Sequence, residues 1–452
     1  MKIAKLREYN LGLKPKQVRS CEVDLGCEKG MLFAYSEEIT CDPCDSYYVS
    51  ARYPLHFAMY GEDGQQLWHK EFGPGLIPGV WFCPFIALDM DKDGVDEIWF
   101  VNNTSNLPLQ IRTRVLERLD ARTGKTIGQY HFPAENIGFM FMCEAYRYML
   151  TGGYVNGEPV IVMQQGTYSE MYLQCYNSDM SLRWERVVED HDGPRASHHI
   201  LTLDVNGDGI DEIFFGERLI SLDTGEDLIC CGRESYWGHS DVVAPFIDPN
   251  TGKGYIWTCR EGKNYEGCPR VVMFDFEGNV VWQDVYTDPQ IDESGHIHFG
   301  YVFTRGENHQ KIALAKHSNE KDIFTYDAIT GEKVKLDFDI TSLRPIDING
   351  DGIHEFVEPY GKKDVLTALY DANGNIVKYL GGKIVQIGKW NDFKGEQVMT
   401  YYEDEGVVRI WGDLEAEDSE VFLARYQTNL KSFMRKMTGN GYNFLPTVDC
   451  CG

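Results

Sequence analysis

Three short loops carry oxygen side chains at a spacing that binds a hard cation. They cover residues 89–97, 204–212 and 347–355, with Asp at position 1, Asp or Asn at 3, Asp at 5, Gly at 6 and Glu at 9. These oxygens, together with the carbonyl at position 7, can surround calcium, which we expect to order the turn. The predicted ligands are Asp89, Asp91, Asp93, Glu97, Asp204, Asn206, Asp208, Glu212, Asp347, Asn349, Asp351 and Glu355.

An apolar run follows each loop and identifies the elements that hold it. The runs are 98–100, 213–215 and 356–357, and turn residues bound them. Such runs predict strands, whereas an EF-hand places a helix after a twelve-residue loop. The sequence therefore predicts calcium loops inside β-hairpins.

A second pattern recurs more often: a strand ending in an aromatic residue or leucine, then a polar turn that usually contains glycine, then another strand. It occurs at 59–64, 118–124, 174–179, 221–225, 273–278, 325–331 and 369–374, with 408–413 as a candidate eighth copy. Gly225, Gly278 and Gly331 are 53 residues apart, and Gly374 follows after 43 more. This is the period of a repeated four-stranded blade.

These repeats predict an all-β protein, a single β-propeller of seven or eight four-stranded blades over residues 1–452. We expect residues 1–50 and 405–452 to close the ring, with the strand Gly30–Tyr35 pairing with C-terminal strands. The best helical pattern lies between Ser419 and Lys436.

Composition excludes several partners. The chain has 43 Lys and Arg against 70 Asp and Glu, a formal charge of -27, so it lacks the cationic footprint of a nucleic-acid-binding protein. No apolar run can span a membrane, and the first residues do not form a secretion signal, so we expect a cytoplasmic protein. The 13 cysteines are expected to be reduced, with a zinc site of Cys41, Cys44, Cys450 and Cys451 as the alternative.

Two regions resemble the propeller-fold rhamnogalacturonan lyases, which cleave the rhamnose–galacturonate backbone of pectin by β-elimination. The first is 198–209, followed by Gly-His-Ser-Asp at 238–241 and Asp-Pro at 248–249; the second is 439–446. The chain departs from the family at Ser240, where glycine is usual, and at Gly439, where asparagine is usual. The resemblance implies a partner that is a uronate-containing oligosaccharide or polysaccharide.

Elimination requires a base, a proton donor and a positive group that neutralises the uronate carboxylate. Histidines cluster around the second loop, so we expect His199 or His198 to be the base or a substrate ligand, with His239 as its partner. The remaining candidates are Arg195 and Arg344 as carboxylate clamps, Tyr442, Tyr236 and Tyr301 for proton donation or sugar stacking, Trp237 for stacking, and His298 for substrate binding.

Two other functions stay open. The same propeller also occurs in ulvan lyases and in a rhamnose-releasing glycosidase, so a glycoside hydrolase is one alternative. A non-catalytic, calcium-stabilised carbohydrate-binding propeller is the other. The oligomeric state cannot be read from the sequence.

Overall fold

The computed structural model describes residues 1–44, 51–132, 142–234, 238–248, 251–260, 270–286, 297–317, 323–358, 366–390, 393–426 and 434–443. Their strands form eight antiparallel sheets, in which strands adjacent in sequence are hydrogen-bonded neighbours. Inner strands of neighbouring sheets contact one another at several of the boundaries between sheets. The predicted all-β propeller is therefore confirmed, and the number of blades is eight.

The strands of blades 1 to 4 run outward from the centre in chain order. Blade 1 has β2 (Gln17–Asp24), β3 (Lys29–Ser36), β4 (His56–Tyr60) and β5 (Gln66–Glu71); blade 2 has β6 (Phe85–Leu88), β7 (Glu97–Asn103), β8 (Arg114–Asp120) and β9 (Thr126–His131); blade 3 has β10 (Tyr148–Val155), β11 (Glu158–Gln165), β12 (Met171–Tyr176) and β13 (Leu182–Val188); blade 4 has β14 (Thr202–Leu203), β15 (Glu212–Phe215), β16 (Arg218–Ser221) and β17 (Asp227–Cys230).

Blades 5 to 8 follow the same order, except that the outer strand of blade 8 is β1 (Ile3–Asn10). Blade 5 has β18 (Val243–Ile247), β19 (Gly254–Arg260), β20 (Arg270–Asp275) and β21 (Val280–Val285); blade 6 has β22 (Ile297–Arg305), β23 (Gln310–His317) and β24 (Ile323–Asp327); blade 7 has β25 (Arg344–Ile346), β26 (Glu355–Val357), β27 (Ala368–Tyr370) and β28 (Ile376–Tyr379); blade 8 has β29 (Lys383–Gly388), β30 (Gln397–Tyr402) and β31 (Val407–Asp413).

The first and the last strands of the chain meet in blade 8. β1 pairs with β31 from Ile3 opposite Asp413 to Asn10 opposite Val407. The strand predicted at Gly30–Tyr35 exists as β3, but it pairs with β2 and β4 inside blade 1. Its expected pairing with C-terminal strands was wrong, because a short hairpin turn already supplies a neighbour at a much smaller loop-closure cost.

The recurring turn joins the third and fourth strands of blades 1 to 5 and of blade 7 and follows the third strand of blade 6, and its glycine has a packing reason. In three blades a tryptophan of the preceding blade's outer strand lies on the turn: Trp68 on Gly124, Trp184 on Gly225 and Trp282 on Gly331. A Cβ atom at these glycines would come within 2.7, 2.7 and 2.6 Å of the indole, and all three have positive φ. Only glycine allows both the backbone conformation and the close approach.

The described part of the chain contains little helix. The described helices are α1 (Met142–Ala145) and α2 (Glu420–Ala424), and Ser419 caps α2 by accepting a hydrogen bond from Phe422 N at 3.1 Å. The helix predicted over Ser419–Lys436 is thus present at its start, while residues 427–433 lie outside the described part. No helix among the described residues has the length and apolar character to cross a membrane.

The segment 434–443 lies against the inner strands of four consecutive blades. Glu22 N in blade 1 and Ala87 N in blade 2 donate to its carbonyl oxygens at 2.9 and 2.8 Å. Asn440 exchanges two hydrogen bonds with the backbone of Leu150 in blade 3. Asn443 does the same with Ile200, just before β14, at 2.8 Å for each bond. The segment therefore supplies partners to backbone groups that the inner strands leave unpaired at the centre of the ring.

We expect Asn443→Ala to lower the free energy of unfolding by about 1–3 kcal/mol, because it leaves the buried N–H and C=O of Ile200 without partners. Chemical denaturation measures this change. The exposed turn residue Asn375 is the matched control, and Asn375→Ala should change stability by less than about 0.5 kcal/mol. Equal losses of unfolding free energy in the two variants would contradict the role given to the segment 434–443.

Candidate active site

The histidines that come together lie in turns leading into inner strands. His198 is four residues before β14 and His239 is four residues before β18, so the two occupy equivalent positions in blades 4 and 5. Short backbone pairing aligns the two turns, since His198 N donates to Ser240 O at 3.0 Å and Arg195 N donates to Gly238 O at 2.9 Å. The blade repeat thus brings the two histidines to one face of the propeller.

His198, His239 and Asp241 form a compact buried group. Nδ1 of His198 lies 2.8 Å from Oδ1 of Asp241, and Nε2 of His239 lies 3.8 Å from the same oxygen. One donor atom from each residue falls within 4.8 Å of the other two, which is close enough for all three to bind one metal ion. Nε2 of His198 is buried and has no hydrogen-bond partner among the described residues.

Burial sets the protonation of His198. It lowers the pKa of the imidazole to about 4, although the Asp241 carboxylate acts in the opposite direction. The ring is therefore neutral at neutral pH, and a neutral imidazole is the form that binds a metal. A base of this pKa is weak near neutral pH.

His199 does not join this group. Its side chain is fully buried, and Nδ1 lies 2.9 Å from Val243 O, within hydrogen-bond distance. Burial also lowers the pKa of this imidazole to about 4. The structure therefore places His199 in the interior, where it links blade 4 to blade 5, rather than at the position expected of a base.

An aromatic wall surrounds His198 and holds a buried arginine. The rings of Trp81, Tyr442 and Tyr168 lie 5.0, 5.1 and 5.8 Å from the His198 ring. The guanidinium of Arg147 lies over both Trp81 and Tyr168, at 4.3 and 4.9 Å from their ring centroids. This arrangement is a double cation–π contact beside the histidines.

Arg147 is also tied to blade 1. Its Nη2 lies 3.2 Å from Oδ1 of Asp42 and 3.1 Å from Sγ of Cys44, and Asp42 accepts a second bond from Trp81 Nε1 at 2.9 Å. A hydrogen bond from Cys143 and the charge of Arg147 lower the pKa of the Cys44 thiol to about 6. Arg147 is thus a positive group fixed in place at the candidate site.

Of the other predicted site residues, Tyr442 packs against His198 and Tyr301 lies in the interior. Arg195 is buried and ion-paired with Asp190, and Tyr442 N donates to His198 O at 2.7 Å. Tyr301 is fully buried, and its hydroxyl donates to Leu343 O at 2.8 Å, so it lies in the interior and not at a sugar-binding surface. Nη1 of Arg344 donates to Leu343 O too. Tyr236 and Trp237 lie outside the described residues, as does the side chain of His298.

Sequence reasoning missed Trp81, Arg147, Tyr168, Asp42 and the role of Asp241. The blade period was the usable signal, because Trp81 lies four residues before β6, as His198 does before β14, and Arg147 immediately precedes β10. Asp241 belongs to the Gly-His-Ser-Asp segment itself. No local signal marks Asp42 or Tyr168, which come from the β3–β4 loop of blade 1 and the β11–β12 loop of blade 3.

The three acidic loops lie in the hairpins β6–β7, β14–β15 and β25–β26, as predicted. In each, the position-9 glutamate accepts a hydrogen bond from the backbone N–H at position 2. The position-8 side chain accepts one from the preceding blade's inner strand: Asp96 from Asp24 N, Asp211 from Tyr154 N and His354 from Thr304 N. The loops therefore also link adjacent blades.

Fold and site together define an eight-bladed propeller with a buried His-His-Asp group at the turns leading into its inner strands. The chain is similar to the rhamnogalacturonan exolyase YesX of Bacillus subtilis (strain 168), with 24% identity over 419 residues. The matched region covers 78% of this chain and 64% of the length of that relative. No protein-family model matches the chain.

Solved structures agree with the sequence comparison. The crystal structure of the exotype lyase YesX superimposes with a TM-score of 0.78 at 18% identity and covers 98% of this chain and 82% of that one. A rhamnogalacturonan lyase of Bacillus licheniformis gives a TM-score of 0.73 at 18% identity, with coverages of 98% and 81%. These likenesses confirm the fold and the resemblance to propeller-fold rhamnogalacturonan lyases.

Alkylation of Cys44 tests the arrangement around Arg147. We expect iodoacetamide to modify Cys44 with a midpoint near pH 6, because the thiolate is stabilised by Cys143 and Arg147. Peptide mass spectrometry measures the rate against pH, with exposed Cys27 as the internal reference. Arg147→Gln should move the Cys44 midpoint upward, and a midpoint that stays unchanged in this variant would contradict the contact.

Proposed function

We propose that the protein is a polysaccharide lyase that cleaves a rhamnose–uronate glycan of the rhamnogalacturonan type by β-elimination. The observation that carries the proposal is the buried group of His198, His239 and Asp241 beside Arg147, on a propeller similar to rhamnogalacturonan lyases. Because the chain spans 64% of the length of the exolyase, both the activity and the substrate are proposed here.

The first requirement of the reaction is a positive group facing the uronate carboxylate. A proton alpha to a carboxylate is very weakly acidic, and neutralising the carboxylate stabilises the charge that develops as the proton leaves. A divalent cation bound to the triad would supply this Lewis-acid effect. Arg147 provides a second positive charge, held between Trp81 and Tyr168.

The donor atoms of the triad indicate what kind of cation fits. Two imidazoles and one carboxylate lie within 4.8 Å of one another, and both imidazole rings are buried. Imidazole nitrogen is typical of transition-metal sites, whereas calcium prefers oxygen ligands throughout. We therefore propose that the triad binds a transition-metal dication, separately from any calcium in the hairpin loops.

The groups proposed to move protons are tyrosines. Tyr168 packs edge-on against His239 at 4.6 Å, and Tyr442 packs edge-on against His198 at 5.1 Å. Both tyrosine side chains are half-buried, so solvent or a bound sugar can reach part of each side chain. A phenol can deliver a proton to the departing oxygen or accept one from the sugar, depending on its charge.

The test is an ultraviolet absorbance time course on rhamnogalacturonan and ulvan oligosaccharides, in which elimination creates an absorbing unsaturated uronate. We expect absorbance to rise with one of these substrates. Asp241→Asn should lower kcat/KM by at least about 100-fold, because it removes the triad's only carboxylate. The variant should also lose bound metal by elemental analysis.

Asp275→Asn is the matched control, since Asp275 lies in the outer hairpin turn of the same blade and away from the triad. It should leave both turnover and metal content unchanged. Release of a saturated sugar with no rise in absorbance would overturn the proposal in favour of a glycoside hydrolase. Binding of oligosaccharide with no product at all would instead indicate a binding propeller.

A further inference from the structure

Two cysteines from distant parts of the chain meet beside Arg147. Cys44 lies in the β3–β4 loop of blade 1, and Cys143 lies in α1, 99 residues further along the chain. Their thiols are hydrogen-bonded to each other, with Cys44 as the acceptor. Nη2 of Arg147 lies 3.1 Å from Sγ of Cys44, and the Tyr168 hydroxyl lies 4.0 Å from the same sulfur. The proposed elimination uses neither thiol.

The surroundings of Cys44 favour the thiolate, which is the reactive form of cysteine. The hydrogen bond from Cys143 and the charge of Arg147 lower the pKa of the Cys44 thiol to about 6, and the residue is exposed. The buried residues Cys83 and Cys175 show the opposite case, because burial raises the pKa of each thiol to about 12. Cys44 is therefore ionised near neutral pH and open to a reagent in solution.

Cys143 is placed to react second. Its hydrogen bond to the Cys44 thiolate and its partial burial raise the pKa of the Cys143 thiol, which therefore stays protonated while Cys44 is charged. Once the Cys44 sulfur is bonded to another sulfur, its negative charge is gone, and the main cause of the raised pKa is removed. Cys143 can then ionise beside a disulfide sulfur that it already contacts.

We propose that Cys44 and Cys143 form a redox-active dithiol, which low-molecular-weight disulfides such as oxidised glutathione convert into a Cys44–Cys143 disulfide. The Cys44 thiolate attacks one sulfur of the reagent, forms a mixed disulfide and releases one thiolate. Cys143 then loses its proton to solvent and attacks Sγ of Cys44, which forms the internal disulfide and releases the second thiolate. The protein dithiol is oxidised by two electrons, and the reagent disulfide is reduced to two thiols, which take up their protons from solvent.

The disulfide acts on both sides of Arg147. It ties the β3–β4 loop, which carries Asp42, to α1, which ends two residues before Arg147. A disulfide sulfur carries no charge, so oxidation removes a negative neighbour of the guanidinium and leaves Asp42 in contact with it. The oxidation state of the pair therefore sets the charge balance in the wall of the candidate site. The proposal does not rest on the proposed lyase activity.

Peptide mass spectrometry of the reduced protein after equilibration with oxidised glutathione tests the pair. We expect a cross-linked peptide that joins Cys44 to Cys143 and disappears after treatment with dithiothreitol. Cys143→Ser should stop at a glutathione adduct on Cys44. Cys27→Ser is the matched control, since Cys27 is also exposed, and this variant should form the cross-link as the unmodified protein does. A cross-link from Cys44 to Cys41, a lasting glutathione adduct on Cys44 in the unmodified protein, or no reaction at Cys44 would overturn the proposal.

The position of the thiol–disulfide equilibrium tests the part played by Arg147. The guanidinium stabilises the Cys44 thiolate, which belongs to the reduced form, so its removal should favour the disulfide. We expect Arg147→Gln to shift the equilibrium constant with glutathione toward the disulfide by roughly 3-fold or more. Cross-linked and alkylated peptides, quantified over a range of glutathione ratios, measure this shift. An equal or smaller disulfide fraction in the folded variant would overturn the role given to Arg147 in this pair.

Discussion

The structure depends on satisfying the backbone groups of the inner strands at the centre of the ring. An inner strand has a hydrogen-bonded neighbour on one side only, so its other edge presents N–H and C=O groups that are costly to bury unpaired. The segment 434–443 meets this need in blades 1 to 4, where Asn440 supplies both missing bonds to Leu150 in β10 and Asn443 supplies both to Ile200 just before β14. Asparagine suits the task because its side chain carries both a donor and an acceptor.

The candidate site depends on the same segment. Tyr442 is adjacent to Asn443, donates its backbone N–H to His198 O, and places its ring against the imidazole. The last residues of the segment 434–443 therefore hold in position the turn that carries His198. Arg147, held by Asp42 from blade 1, fixes the opposite side of the same wall. Residues from five blades and the C-terminal segment thus converge at one face, while the acidic loops lie at the other end of the inner strands.

Much of the architecture could be predicted because it repeats. The turn glycines recur with the blade, and the acidic loops specify a hairpin by their spacing. The meeting of His198 and His239 follows from their equivalent places before two inner strands. Other features depend on contacts between distant parts of the chain, which a periodic pattern does not encode. These include the pairing of β1 with β31, the burial of His199 and Tyr301, and the position of Arg147 between Trp81 and Tyr168. Likewise, the three loops are alike in sequence, but the sequence does not show that the Arg118 guanidinium, on the third strand of blade 2, contacts Asp91 and Glu97 of the first loop.

The most direct test of the central claim is the mass of the products formed from a rhamnogalacturonan oligosaccharide in water enriched in heavy oxygen. Elimination adds no water, so the account predicts two products whose masses sum to that of the substrate, with no heavy oxygen in either. A product that carries one heavy oxygen atom and a total mass greater by one water would contradict the account and identify hydrolysis as the reaction.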